Sequence, residues 1–246
     1  AVTRDHTERM LANFGIRVTR DSGRICVTGG KLSGQKIHVP GDISSAAFFL
    51  TAASIVDDSD LLIRGVGINP TRAGVIDILR SMGAQIDEEN RKELSGEPVA
   101  DLRVRHRPLH GIRIPRELVS IAIDEFPAIL IAAACASGET VLDGAAELRV
   151  KESDRIEAMA GGLRAAGIEA YPAPDGIRVR GGTVNGCEIN SRGDHRIAMA
   201  FAIAGLAARG PVRTRDCANV NTSFPGFVET LRSVGGDISR QETGHG

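Results

Sequence analysis

Apolar and polar positions along this chain repeat one phrase four times. An amphipathic stretch ends in Gly at residues 10–15, 79–83, 163–167 and 231–235. Gly in that place takes the left-handed conformation that closes a helix. A short apolar, strand-like run follows the second and third copies, at 84–86 and 168–170. A second landmark precedes the last three copies: Asp42, Asp124 and Asp194 each open a run of small apolar residues, at nearly equal distances before Leu79, Leu163 and Leu231. Self-similarity of this length marks repeated supersecondary units.

Each unit reads as strand, helix, strand, helix, strand, often with one more strand. The first predicts strands at 36–39, 60–63, 84–86 and 101–104 and helices at 44–53 and 72–82. The second predicts strands at 111–114, 140–142, 168–171 and 177–179 and helices at 125–135 and 153–166. The third predicts strands at 187–189 and 212–214 and helices at 195–208 and 224–234. The first helix of each unit is apolar nearly all round, the pattern of a buried helix. The expected architecture is α/β, with βαβαββ-type units whose sheets surround a shared helical core. Residues 1–40 hold a copy of the Gly-ended phrase without the Asp-led helix, so they read as the tail of another unit. The expected division is therefore 1–40 and 41–246, the second region holding three units.

Composition changes this picture little. Of 246 residues, 42% are hydrophobic, 25% charged and only 3% aromatic, with no Trp, so the core rests on aliphatic side chains. A net charge of -1 gives no global field toward nucleic acid or membrane, and neither is an expected partner. Cys26, Cys135, Cys187 and Cys217 are far apart, without metal-ligand spacing, so no metal is expected and reduced thiols in a cytoplasmic setting are. The chain begins with Ala rather than Met. It is expected to start inside a longer parent or to have lost its initiator.

Four polar clusters sit at predicted helix starts: 147–155, 193–196, 123–127 and 222–225. Each has a plain reading as a helix cap or a solvated loop. Arg149, Lys151 and Arg155 also suit anion binding beside a helix N-terminus, and Arg196 follows Asp194 and His195 into the next helix. Asp124 and Glu125 form a carboxylate pair before an apolar run, where partial burial is expected to raise a pKa. Equivalent positions in repeated units would bring these groups to one face. That is the make-up of a site for polyanionic substrates with acid/base chemistry.

Two of these stretches carry a family resemblance. Arg149-Val150-Lys151-Glu152-Ser153-Asp154-Arg155 resembles the R-V-K-E-S/T-D-R signature of EPSP synthases. Asp194-His195-Arg196-Ile197-Ala198-Met199 resembles their D-H-R-I/M-A-M signature, and Gly41-Asp42-Ile43-Ser44-Ser45-Ala46 their G-D-x-S-S-A turn. Thr3–Glu8 and Ile123–Glu125 are most similar to the bacterial class tolerant of glyphosate. The resemblance implies a two-lobed fold of which this chain is the C-terminal portion, most of the N-terminal lobe being missing and acting as a partner. It implies transfer of the enolpyruvyl group of phosphoenolpyruvate to the 5-hydroxyl of shikimate 3-phosphate, without metal or organic cofactor, in aromatic amino-acid biosynthesis.

By the same resemblance Asp124 accepts the proton of the attacking hydroxyl and Glu152 protonates the methylene carbon. Arg4 and Lys151 lie on the shikimate 3-phosphate side, Arg155 and Arg196 grip phosphoenolpyruvate, and Asp42 and His195 are of second rank. Some family members carry Lys where Thr222 stands. Two alternatives remain: a noncatalytic half-enzyme lobe, and the related enolpyruvyl transferase acting on UDP-N-acetylglucosamine. The isolated chain is expected not to turn over.

Overall fold

A computed structural model describes residues 2–241; Ala1 and residues 242–246, the end of the expected second region, lie outside it. In chain order the elements are α1 (His6–Asn13), β1 (Val18–Asp21), β2 (Arg24–Val27), α2 (Ile43–Ile55), β3 (Asp60–Gly67), α3 (Gly74–Ser81), β4 (Gln85–Leu94), β5 (Glu97–Arg105), α4 (Arg116–Val119), α5 (Phe126–Cys135), β6 (Glu139–Leu142), α6 (Arg155–Ala165), β7 (Glu169–Ala173), β8 (Gly176–Arg180), β9 (Asn185–Asn190), α7 (His195–Ala207), β10 (Arg209–Arg215), α8 (Val220–Ser223) and α9 (Phe227–Ser233). A 3₁₀ turn, Ala146–Val150, precedes α6.

The repeat is visible in the sheets. In the first unit the order is β3-β5-β4, antiparallel, with a parallel bridge from Gly41 to Val66. In the second it is β6-β8-β7, antiparallel, with parallel bridges His110–Ser137 and Arg113–Val141. The third pairs β9 with β10 in parallel and then runs into α8 and α9. In place of the leading strands expected at 36–39 and 111–114, the first unit has one bridge, at Gly41, and the second has two, at His110 and Arg113, whereas the third unit keeps a full strand, β9.

At the centre α2, α5 and α7 pack on one another. Every residue of α2 except Ser45 is buried, and every residue of α5 except Cys135. Such helices have no solvent face, so they form only where all sides find apolar partners. The chain's end closes this arrangement onto its beginning: Phe48 and Phe49 of α2 meet Phe224 and Phe227, with centroid distances from 5.9 to 6.2 Å and tilted or edge-to-face geometry. Among the described residues no helix is long and apolar enough to cross a membrane.

Residues 2–39 attach differently. α1 has no buried residue, and Ile25, Val27, Leu32 and Val39 are exposed. A polar cluster holds the segment to the first unit. Asp5 accepts from Arg9 Nε at 3.0 Å, Asn69 Nδ2 at 2.7 Å and Thr71 Oγ1 at 3.0 Å, and His6 Nδ1 lies 2.8 Å from Glu97 Oε1. Burial opposes the Asp5 charge, but these bonds outweigh it and hold the carboxyl at about 2.

Candidate active site

The starts of α2, α5 and α7 meet. At two of them the carboxylate expected from the repeat caps its own helix: Asp42 accepts from Ser44 N and Ser45 N, both at 3.0 Å, and Asp194 from Arg196 N at 2.9 Å. The middle start departs from this. The cap position of α5 belongs to Glu125, not Asp124, and no side chain caps it. Asp124 therefore stands one residue before the position equivalent to Asp42 and Asp194. That offset leaves its carboxylate free of the helix end.

Cations fill the space around it. Arg4 Nη2 donates to Asp124 Oδ2 at 2.5 Å, and Lys151 Nζ lies 3.2 Å from Oδ1. Arg72 Nη2 and Arg155 Nη1 stand at 3.6 and 3.8 Å, and Arg196 Nη1 donates to the Asp124 carbonyl at 3.0 Å. Burial alone would raise the carboxyl, but Arg196 and Lys151, with hydrogen bonds from Arg4 and Lys151, hold it down at about 2. The expectation of a raised pKa at this pair is overturned at Asp124, because the neighbouring positive charges outweigh the loss of water.

Arg155 ties this carboxylate to the next group. It is buried, and its Nη2 donates to Glu152 Oε2 at 2.5 Å while its Nε donates to Asp194 Oδ2 at 2.8 Å. Asp194 also accepts from Ser153 Oγ at 2.9 Å. Burial would lift the Asp194 carboxyl, yet Arg155 and these bonds bring it below its ordinary value. Glu152 and His195 line an adjoining cavity of about 370 Å³ with Arg192, Asn219, Thr222 and Ser223. Burial, then Arg196, push the His195 imidazole below its ordinary value, which favours its neutral form. Arg192 is the cation that lines this cavity, beside Thr222.

The site thus holds a carboxylate kept ionised, an exposed second carboxylate one guanidinium away, and a set of cations satisfied by those carboxylates. A profile of the EPSP synthase (3-phosphoshikimate 1-carboxyvinyltransferase) family matches residues 1–231. The chain belongs to the EPSP synthase family. It is 63% identical over 239 residues to the 3-phosphoshikimate 1-carboxyvinyltransferase of Methylococcus capsulatus, covering 97% of this chain and 55% of that protein. It is 60% identical over 236 residues to the enzyme of that name from Nitrosococcus oceani, covering 96% and 53%. A solved EPSP synthase from Acinetobacter baumannii superposes with a TM-score of 0.95 at 50% identity, covering 98% of this chain and 57% of that one. The enolpyruvyl transferase NikO of Streptomyces tendae, at 20% identity and a TM-score of 0.72, shares the fold. The chain spans about half the length of the curated relatives it matches.

In this EPSP synthase family chain, Arg4, Asp124, Lys151, Arg155 and Arg196 come together, and Glu152 and His195 lie beside them. Asp42 does not join the cluster, since its carboxylate is used by Ser44 and Ser45. Arg149, read as an anion ligand, is spent on the carbonyls of Ala173 and Pro174 and on Asp154. Sequence reasoning missed Arg72, which donates to Glu125 Oε2 at 2.7 Å and Oε1 at 2.9 Å. The only hint was its place in a turn, Asn69-Pro70-Thr71-Arg72, that opens the helix after the first unit's second strand.

Proposed function

We propose that this chain supplies one wall of a site where the enolpyruvyl group of phosphoenolpyruvate passes to the 5-hydroxyl of shikimate 3-phosphate. The observation that carries the reading is the Asp124 carboxylate, ringed by Arg4, Lys151, Arg72 and Arg155 and linked through Arg155 to Glu152. The names of the relatives point the same way. The chain's share of their length supports a site completed by the remaining half. The two long signatures support reading this chain as the C-terminal portion. Thr3–Glu8 and Ile123–Glu125 support the glyphosate-tolerant class.

The chemistry divides among these residues. Lys151 and Arg4 neutralise shikimate 3-phosphate and draw its 5-hydroxyl to Asp124. Binding of two anions takes cations away from Asp124, which raises its affinity for a proton from the low value it holds in the empty cleft. The hydroxyl oxygen then bonds to C2 of phosphoenolpyruvate as its proton moves to Asp124. Glu152 delivers a proton to C3. Because the transferred group keeps its double bond, Glu152, left as a carboxylate, takes a C3 proton back as the C2–phosphate bond breaks, and the proton held on Asp124 leaves with the phosphate. Arg196 and Arg155 hold the carboxylate and phosphate, for which a planar fork is suited.

Titration calorimetry of the chain with shikimate 3-phosphate tests this. Binding should weaken with salt, be lost in Lys151→Met, and be absent for UDP-N-acetylglucosamine. Preference for the sugar nucleotide, or shikimate 3-phosphate binding indifferent to Lys151→Met, would refute the assignment.

A further inference from the structure

We propose that Glu125 is the positioning residue of this site: it locks the starts of α2, α5 and α7 together and sets the direction in which Arg196 faces the cleft. The proposal rests on the reading given under Proposed function for the identity of the ligand, though not for the lock itself.

Glu125 holds the same place in its unit as Asp42 and Asp194 do in theirs, yet it caps nothing. Its side chain is 0% exposed and is turned across to the neighbouring units. Ser44 Oγ, at the start of α2, donates to Oε1 at 2.6 Å. Arg72 grips both oxygens, at 2.7 and 2.9 Å, and also donates to Ser44 Oγ. Arg196, at the start of α7, brings Nη1 to 3.6 Å from Oε1. One carboxylate thus touches residues of all three units. A buried ion is tolerated only where partners replace its water, and removing one partner is far costlier than never having the pair.

The arrangement at Arg196 gives the lock its consequence. Its Nη1 is engaged by the Asp124 carbonyl and Glu125, while among the described residues its Nε and Nη2 have no protein acceptor. One corner of the fork is fixed and the other donors stay open, so a planar anion meets a guanidinium already oriented. Burial and the nearby Arg155 and Arg72 all disfavour the Arg196 charge, and Glu125 is the foremost group that supports it. Without Glu125, Arg72 and Arg196 would be left with the Asp124 carboxylate, which Arg4, Lys151 and Arg155 already share, and Arg196 would lose its fixed corner.

The test uses the chain with Glu125→Gln, Arg72→Lys and Ser44→Ala. Without any ligand, arginine side-chain ¹⁵N resonances report the orientation of Arg196. They should be sharp and distinct in the unaltered chain and in Ser44→Ala, and broadened in Glu125→Gln, whose unfolding should remain cooperative. With ligand, calorimetry should show phosphoenolpyruvate binding weakened about tenfold or more in Glu125→Gln, the scale expected when a binding group is misplaced. Shikimate 3-phosphate should be weakened less than about threefold, because Lys151 and Arg4 are untouched.

Unchanged Arg196 resonances in a folded Glu125→Gln, or equal weakening of both ligands, would overturn the proposal. Should Glu125→Gln fail to fold, Arg72→Lys decides by the same measurements, since it keeps the charge and removes the fork. If the unaltered chain bound neither ligand, the functional reading would fall, while the resonances would still decide the lock.

Discussion

Asp124 is ionised because cations surround it, and that has a pH signature. Its carboxyl sits at about 2, below the ordinary value of 3.8. A depressed carboxyl contributes stability above its unfolded pKa and loses it as pH falls through the folded value. The shift corresponds to at most about 2–3 kcal/mol. Asp124→Asn should therefore be less stable than the unaltered chain by up to that amount from pH 5 to 7. The gap should close between pH 3.8 and about 2. Urea unfolding across this range measures it, and a gap independent of pH would contradict the electrostatic account. Lys151, Glu152, Arg155 and Arg196 could be picked out in sequence because the two long signature stretches hold them, and Asp124 because it precedes the second unit's apolar run. Arg72 was not, because its importance comes from a carboxylate 53 positions away, and no local pattern announces a partner at that range.

Elements were legible where one physical cause dominated. α2 and α5 are apolar on all sides, which marked them as buried before any contact was known. β4 was expected as three residues and runs for ten, because after Ile86 none of its residues is buried, so it lacks the apolar-in, polar-out alternation of a strand with one face on a core. The turn that pairs it with β5 uses Ser95 and Gly96, both at positive φ, the hairpin chemistry that the short expected strands left unused. The helix expected at 224–234 starts only at Phe227, because Pro225 is followed by Gly226 at φ 79. Packing between elements was the least visible of all. Gly162 of α6 faces Phe201 of α7 so closely that an added Cβ would lie 2.2 Å from Cζ of the ring. Gly162→Ala should gain roughly 1 kcal/mol of helix propensity yet lose more through overpacking, which typically costs 1–3 kcal/mol. Chemical denaturation should show net destabilisation, relieved by adding Phe201→Leu. A more stable Gly162→Ala would contradict this packing.

At the scale of the molecule, three units close around α2, α5 and α7, and the phenylalanines of α8–α9 seal the third unit against the first. The spacing of the Asp-led helices anticipated this arrangement, with an error of one residue in the middle unit that puts Asp124 in the cleft and Glu125 in the cap position. The β1–β2 hairpin was not anticipated, because its four-residue strands are short and almost wholly exposed. Residues 2–39 nevertheless deliver Arg4 to the site through the Asp5 cluster. The central claim is that this face carries the family's reaction once the rest of the relatives' length is supplied. The most direct measurement is steady-state phosphate release from phosphoenolpyruvate and shikimate 3-phosphate. It is made with the chain alone and with the chain mixed with the half of the Methylococcus capsulatus relative that this chain does not cover. The account predicts release only in the mixture, and its loss with Asp124→Asn in this chain. Turnover by the chain alone, or a mixture that works equally well with Asp124→Asn, would contradict it.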